Sequence, residues 1–150
     1  MNIGELLVNV ITVLLFYFFI SRTFTLRRLH WICRGIGLML LFVLITLLNL
    51  MNIAPTITCV SGLICQILYT MVFAEGSRGA RLLIGGIPAL LAVVSDSVTF
   101  SVLGILFQDT SEALTVNSAI RSQALVIYIL TYCLLIWAVI QFFPQDLKFP

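Results

Sequence analysis

Residues 82–107 read LLIGGIPALLAVVSDSVTFSVLGILF, and Asp96 is the only charged residue among them. This apolar run is longer than the about 20 residues that an α-helix needs to cross the hydrocarbon core of a bilayer. The stretch therefore predicts a transmembrane helix, and it assigns the chain to the class of membrane proteins.

Four further apolar runs follow the same pattern, and they cover residues 3–20, 36–53, 57–74 and 124–143. Of the 150 residues, 61% are hydrophobic and 9% are charged, whereas soluble domains have about 45–50% and about 25%. We therefore predict an all-α, polytopic membrane bundle of about five transmembrane helices, with a single domain over 1–150 and no soluble domain. The net charge of +2 also argues against a basic nucleic-acid-binding face.

The basic residues predict the orientation of the bundle. Cytoplasmic loops of membrane proteins carry an excess of Lys and Arg. If the N-terminus lies outside and the C-terminus inside, Arg121 is the only basic residue in the outer segments. The other basic residues then lie inside: Arg22, Arg27, Arg28, Arg34, Arg78, Arg81 and Lys148.

No catalytic or metal-binding motif is visible in the sequence. It contains no Gly-rich phosphate loop, GxSxG or HExxH pattern, and these are the arrangements that phosphate binding, acyl transfer and zinc proteolysis use. The four cysteines are Cys33, Cys59, Cys65 and Cys133. No two of them have the CxxC spacing that is typical of metal-binding or redox motifs. We expect a protein that is not an enzyme, with no catalytic residue, no metal and no cofactor.

Asp96 is the most informative polar residue, because a charged side chain at mid-membrane costs about 2.5–3.5 kcal/mol on insertion scales. It shares a helix face with small residues at spacings of three and four: Gly85, Ala89, Ala92 and Thr99. Small residues allow another helix to approach closely. We therefore expect Asp96 to face the bundle and not the lipid.

Three roles for Asp96 remain open at this point: a protonated side chain hydrogen-bonded between helices, a signalling or ligand contact, and proton or cation transport. Its candidate partners are Asn49, Asn52, Gln66, Tyr69, Tyr128, Thr131 and Tyr132. As an intramembrane, signal-coupling set we select Asp96, Ser95, Thr99, Asn49 and Asn52.

Two short stretches carry a resemblance to a known family. Residues 73–83 read FAEGSRGARLL, and Ser95-Asp96-Ser97 lies near the middle of the next span. Over about residues 25–142 the chain resembles the N-terminal transmembrane sensor of GHKL-type sensor histidine kinases, the group of two-component kinases that includes quorum-sensing receptors for peptide pheromones. In that group a Phe-x-Glu-Gly-Ser inner loop precedes basic residues and a long span with a Ser-acidic pair.

The resemblance implies a receptor domain in the bacterial cytoplasmic membrane that receives an extracellular signal, such as a peptide, and passes it inward by helix rearrangement. Its partners would be the lipid bilayer and an extracellular peptide, with a homodimer as candidate assembly. Candidates for outer ligand contact are Asp109, Glu112, Asn117 and Arg121. The inner basic loop residues are Arg27, Arg28, Arg34, Arg78 and Arg81.

The sequence departs from that family in two respects. No phosphoacceptor His or ATP-binding sequence follows the fifth span, and Pro144 and Pro150 would interrupt a continuous signalling helix. The alternatives are a truncated sensor and a kinase-less relative. From other classes, the alternatives are a small oligomeric transporter or channel subunit that uses Asp96, and a non-catalytic membrane scaffold.

Overall fold

The computed structural model of the protein describes residues 3–27, 31–51, 55–107 and 118–142. The described residues form five α-helices and no β-sheet, which confirms the predicted all-α fold. The helices are α1 (Ile3–Thr23), α2 (Trp31–Leu50), α3 (Pro55–Phe73), α4 (Arg78–Phe107) and α5 (Ser118–Phe142).

The five helices pack side by side in a closed ring. Helix α1 contacts α2, α2 contacts α3, α3 contacts α4, α4 contacts α5, and α5 returns to α1. The α3–α4 and α4–α5 pairs have the most extensive contacts, whereas α2 buries only Leu41 among its side chains. Helix α4 therefore anchors the ring, and α2 is its most peripheral member.

Four of the helices are long and apolar enough to cross a membrane, namely α1, α2, α4 and α5. Helix α3 has 19 residues, and at 1.5 Å per residue it extends about 28 Å, close to the about 30 Å of a hydrocarbon core. Large apolar side chains cover the outer surface of the ring, as expected where lipid replaces water. The chain is a multi-pass membrane protein.

Four helices begin earlier than the apolar runs predict. Helix α2 begins at Trp31 instead of 36, α3 at Pro55 instead of 57, α4 at Arg78 instead of 82, and α5 at Ser118 instead of 124. The assignment of Arg34, Arg78 and Arg81 to an inner loop is therefore wrong, because all three are helical. Hydropathy detects only the part of a helix within hydrocarbon, whereas the backbone hydrogen bonds continue into the polar interface.

The connection between α3 and α4 is short because three local features fit together. Gly76 has a φ of 133°, in a region that residues with a Cβ rarely adopt. The Ser77 hydroxyl then accepts a hydrogen bond of 3.3 Å from the backbone N–H of Ala80. This is the N-cap interaction that begins a helix, and α4 begins at the next residue.

We call the end of the ring that holds the α1 N-terminus the outer end, after the predicted orientation, and the opposite end the inner end. At the inner end, an antiparallel β-bridge pairs Leu26 with Ala74. Next to it, the Arg81 side chain donates a hydrogen bond of 2.7 Å to the backbone carbonyl of Met71, in the last turn of α3. We refer to the bridge and this bond together as the inner junction.

Candidate ligand-binding cavity

A cavity of about 340 Å³ lies inside the ring, and residues of all five helices line it. Its lining residues lie within 8–12 of α1, 45–49 of α2, 58–66 of α3, 89–103 of α4 and 124–128 of α5, so it lies mainly in the outer half of the bundle. Its polar lining residues are Asn9, Thr12, Asn49, Thr58, Cys59, Gln66, Asp96, Thr99 and Tyr128.

Helices α1 and α2 contribute amide groups that bond to each other. The Asn49 side-chain N–H donates a hydrogen bond of 3.0 Å to the side-chain oxygen of Asn9. Asn9 in turn donates a longer bond of 3.4 Å to the Thr46 hydroxyl. Interhelical side-chain hydrogen bonds stabilise helix pairs in lipid, so this pair fixes the α1–α2 wall beside the cavity.

Helix α4 turns its small-residue face toward the cavity. Ala89, Ala92, Asp96 and Thr99 all line it, but Asp96 is exposed whereas Ala89 and Thr99 are buried, so the Asp96 carboxylate lies at the edge of this face. No hydrogen bond joins the Asp96 carboxylate to another described side chain. The Thr99 hydroxyl is already used, because it donates to the backbone carbonyl of Ser95 at 2.8 Å.

Gly85, on the same face of α4, sets the distance between α4 and α3. A Cβ at this position would lie 2.8 Å from both Cβ and Oγ1 of Thr70, and Thr70 is fully buried. The absence of a side chain at Gly85 thus allows α3 and α4 to approach closely on the inner side of the cavity.

Helices α3 and α5 provide the remaining polar groups. Gln66 is only 3% exposed, and its side-chain oxygen has no hydrogen-bond partner among the described residues. Tyr128 lies within hydrogen-bonding reach of Thr12 on α1. The Asp96 carboxylate interacts electrostatically with both Cys59 and Tyr128. Polar groups of α3 and α5 therefore lie near the carboxylate.

One turn further toward the inner end, each helix contributes a large buried side chain. These residues are Phe16, Leu41, Tyr69, Ile84 and Tyr132, and they belong to one packed hydrophobic cluster. The rings of Phe16 and Tyr69 meet edge to face with centroids 5.4 Å apart. We call this layer the floor, because it separates the cavity from the inner end of the bundle in the described part of the chain.

The outer side of the cavity carries an ion pair. Arg121 on α5 donates to the carboxylate of Glu5 on α1. Both residues lie about one helical turn outside the cavity residues Val8 and Leu125. Exposed ion pairs contribute little to stability, so we regard this pair as a contact that aligns α1 with α5.

The structure brings some of the sequence-selected residues together and separates others. Asp96, Thr99, Asn49, Gln66 and Tyr128 all line the cavity, whereas Tyr69 and Tyr132 lie in the floor. Ser95 is fully buried, and its hydroxyl donates to the backbone carbonyl of Leu91. Arg121 is helical and paired with Glu5. Five selected residues lie outside the described residues, namely Arg28, Asn52, Asp109, Glu112 and Asn117.

The sequence analysis missed Asn9 and Thr12, which form the α1 side of the cavity. Their spacing of three in an otherwise apolar helix was the available signal, because it places both on one face. Cys59, which forms no metal-binding motif in the sequence, is exposed and also lines the cavity.

These features define a helical, multi-pass membrane protein with a polar cavity in one half of the bundle. Comparisons with protein families, with curated proteins and with solved structures found no match for the chain.

Proposed function

We propose that the chain is the membrane sensor domain of a GHKL-type histidine kinase, or of a kinase-less relative, in the bacterial cytoplasmic membrane. It receives an extracellular signal and passes it inward by rearrangement of its helices. The observation that carries this proposal is the outer cavity, since all five helices line it. A ligand bound there contacts every helix at once and can favour one packing of the ring over another.

The inner junction supports the proposal by offering a route for that change. The β-bridge at Leu26 and Ala74 and the Arg81–Met71 bond connect the inner ends of α1, α3 and α4. Since the helices are stiff and the junction couples three of them, a tilt at the outer end is transmitted to the inner end. A conformational change of this kind requires different affinities of the ligand for the two packings.

The proposal can be tested by measuring a distance across the inner junction. Spin labels at Thr25→Cys and Arg78→Cys, both exposed positions, are placed in a variant whose native cysteines are serine. We expect fractionated spent medium of the organism that carries the gene to shift the label distance in nanodiscs. The same shift should be lost when Asn9 and Asp96 are replaced together, because both line the cavity.

A control label pair at Ile36→Cys and Val43→Cys lies within α2 alone, and its distance should stay constant. Unchanged distances at the inner junction in every fraction would contradict a sensor role. The kinase version makes a further prediction, namely that the same gene or the adjacent reading frame encodes a GHKL ATPase domain. If neither does, the kinase-sensor version is wrong.

A transporter or channel subunit is the second candidate, and the place of Asp96 beside a cavity is the observation that favours it. It requires a pathway through the floor, where Phe16 and Tyr132 are fully buried. Proton or cation uptake into liposomes that Asp96→Asn abolishes would support this candidate. Liposomes that show no flux with the unmodified chain would remove it.

A further inference from the structure

We propose that the cavity binds an alkylammonium group, with the Asp96 carboxylate as its counter-ion and Gln66 as a hydrogen-bond acceptor. The role of this ligand as a signal rests on the proposed sensor function. The binding itself does not depend on signalling, and it can be tested separately.

The first argument is the charge of the lining. Among the described residues that line the cavity, Asp96 is the only Asp or Glu, and no Lys, Arg or His is present. A carboxylate at membrane depth is costly unless it is paired or hydrogen-bonded. A cationic ligand supplies the missing counter-charge, whereas an anionic ligand meets repulsion and no compensating positive group.

The second argument is the set of hydrogen-bond acceptors. The Gln66 side chain is 3% exposed, and its oxygen has no partner among the described residues. An unsatisfied buried acceptor costs about 1–3 kcal/mol, and a donor from a ligand removes that cost. An ammonium group has three donors and no acceptor, which matches a site with the Asp96 carboxylate and the Gln66 oxygen.

The third argument is the size and the apolar part of the lining. A volume of about 340 Å³ lies at the small end of the about 300–1,000 Å³ of typical ligand pockets. Besides the polar groups, the walls include the apolar side chains of Leu103, Phe100 and Ile45. The cavity therefore fits a short alkyl chain with an ammonium group. A larger ligand, such as a peptide, can place only one alkylammonium side chain in it.

Three kinds of molecule can supply an alkylammonium group: a free alkylamine, a peptide with a basic side chain, and a lipid with an ethanolamine headgroup. The cysteine at position 59 provides a reporter for all three, because it is exposed, lines the cavity and lies near Asp96. A variant that keeps only Cys59 is made by replacing Cys33, Cys65 and Cys133 with serine. It is reconstituted into nanodiscs of phosphatidylglycerol.

The experiment compares two thiol reagents that differ in charge, 2-aminoethyl methanethiosulfonate and 2-sulfonatoethyl methanethiosulfonate. Their rate ratio at Cys59 is divided by the ratio at Ile3→Cys in a chain without other cysteines, since Ile3 is exposed at the outer end. This division removes the attraction of cations to the lipid surface. Any change in the thiolate fraction of Cys59 affects both reagents equally and also cancels.

We expect the normalised ratio at Cys59 to favour the cationic reagent by at least about tenfold, as one nearby charge predicts. Asp96→Asn should reduce the ratio to about one, and Asp96→Glu should preserve it. Two variants serve as matched controls and should leave it unchanged. Ser97→Ala alters the exposed neighbour of Asp96, and Glu75→Gln removes a carboxylate at the inner end.

Protection by ligands distinguishes the sources. Butylammonium should slow the modification of Cys59, and butanol, of similar shape but without charge, should not. A lysine-containing peptide that protects better than butylammonium identifies a peptide side chain. Protection in nanodiscs containing phosphatidylethanolamine, without added amine, identifies the lipid.

A normalised ratio near one in the unmodified cavity, or a ratio that Asp96→Asn leaves unchanged, would overturn the proposal. If Asp96→Asn does not fold, the comparison of butylammonium with butanol decides, and equal protection by both overturns it. Charge selectivity together with a constant distance at the inner junction would preserve the ligand class and reject the sensor function. A changed distance at the inner junction without charge selectivity at Cys59 would preserve the sensor function and reject the alkylammonium ligand.

Discussion

Leu26 and Ala74 form an antiparallel β-bridge that joins the segment after α1 to the segment after α3. The backbone N–H of Arg27 donates to the carbonyl of Phe73 at 2.9 Å, and the N–H of Glu75 donates to the carbonyl of Thr25 at 2.8 Å. Two helices that are not consecutive in sequence therefore share a backbone connection at their inner ends. Separation of the inner ends of α1 and α3 must strain or break these bonds.

Replacing Arg27 by proline tests this connection, because proline has no backbone N–H to donate. We expect Arg27→Pro to lower the free energy of unfolding by about 0.5–1.5 kcal/mol, the net contribution of one such hydrogen bond. The Glu75 amide, which donates across the same bridge, should exchange its hydrogen faster. Arg27→Ala is the matched control, since it removes the same charge and retains the N–H. Equal exchange at Glu75 in the two variants would show that the bridge is not a stable connection.

Arg81 and Arg78 offer a second matched pair, because only one of them is buried. Arg81 is 9% exposed and bonds to the Met71 carbonyl at 2.7 Å, in the last helical turn of α3, where carbonyls lack helical partners. We expect Arg81→Met to lower the free energy of unfolding by about 1.5–3 kcal/mol, and Arg78→Met to change it by less than about 0.5 kcal/mol. Reversible unfolding in mixed micelles measures both values. Similar losses in the two variants would mean that charge alone, and not the bond to α3, accounts for the effect.

Gly76 is the third position where a single substitution has a predictable effect. At its φ of 133°, a side chain introduces backbone strain of about 1–3 kcal/mol. We therefore expect Gly76→Ala to lower the thermal unfolding midpoint. Gly79→Ala should not lower it, because Gly79 is helical and a Cβ there meets nothing within 4 Å. A Gly76→Ala chain as stable as the unmodified one would contradict the strained geometry.

The Phe-x-Glu-Gly-Ser motif could be recognised in the sequence, but its structural role could not. Phe73 offers its carbonyl to the bridge, Glu75 offers its N–H, Gly76 allows the turn and Ser77 caps α4. Three of these contributions use the backbone or its conformation and one uses a hydroxyl. The partner of the bridge lies far away in sequence, so no local pattern indicates it.

The outer cavity was predictable only in part. The spacing of Ala89, Ala92 and Asp96 places these residues on one face of α4, and they line the cavity together. Asn9 and Thr12 went unnoticed, because two polar residues in an apolar helix do not specify which neighbour they face. The order of helices in the ring decides that, and it depends on close contacts such as that between Gly85 and Thr70.

The Asn9–Asn49 hydrogen bond gives a fourth prediction, which concerns the wall between α1 and α2. In a double-mutant cycle of Asn9→Ala and Asn49→Ala, we expect a coupling energy of about 0.6 kcal/mol and at most about 1.7 kcal/mol, as for other interhelical bonds in lipid. The cycle is measured by unfolding in mixed micelles. A cycle of Asn49→Ala with Thr70→Ala is the control, because Thr70 bonds within α3 and should be additive. Additive effects of Asn9 and Asn49 would show that the bond does not hold the two helices together.

The orientation of the bundle gives the last prediction, and the direction of signalling depends on it. Five arginines lie at the inner end or in the adjacent turns: Arg22, Arg27, Arg34, Arg78 and Arg81. The positive-inside rule places that end in the cytoplasm. Cys33 lies there in the first turn of α2 and is exposed, whereas Ile3 is exposed at the opposite end. In single-cysteine chains, an impermeant maleimide should label Ile3→Cys from outside intact cells and should label Cys33 only in inverted vesicles. The opposite pattern would place the Asp96 cavity in the cytoplasmic half of the membrane, where an extracellular ligand could not reach it without crossing the floor.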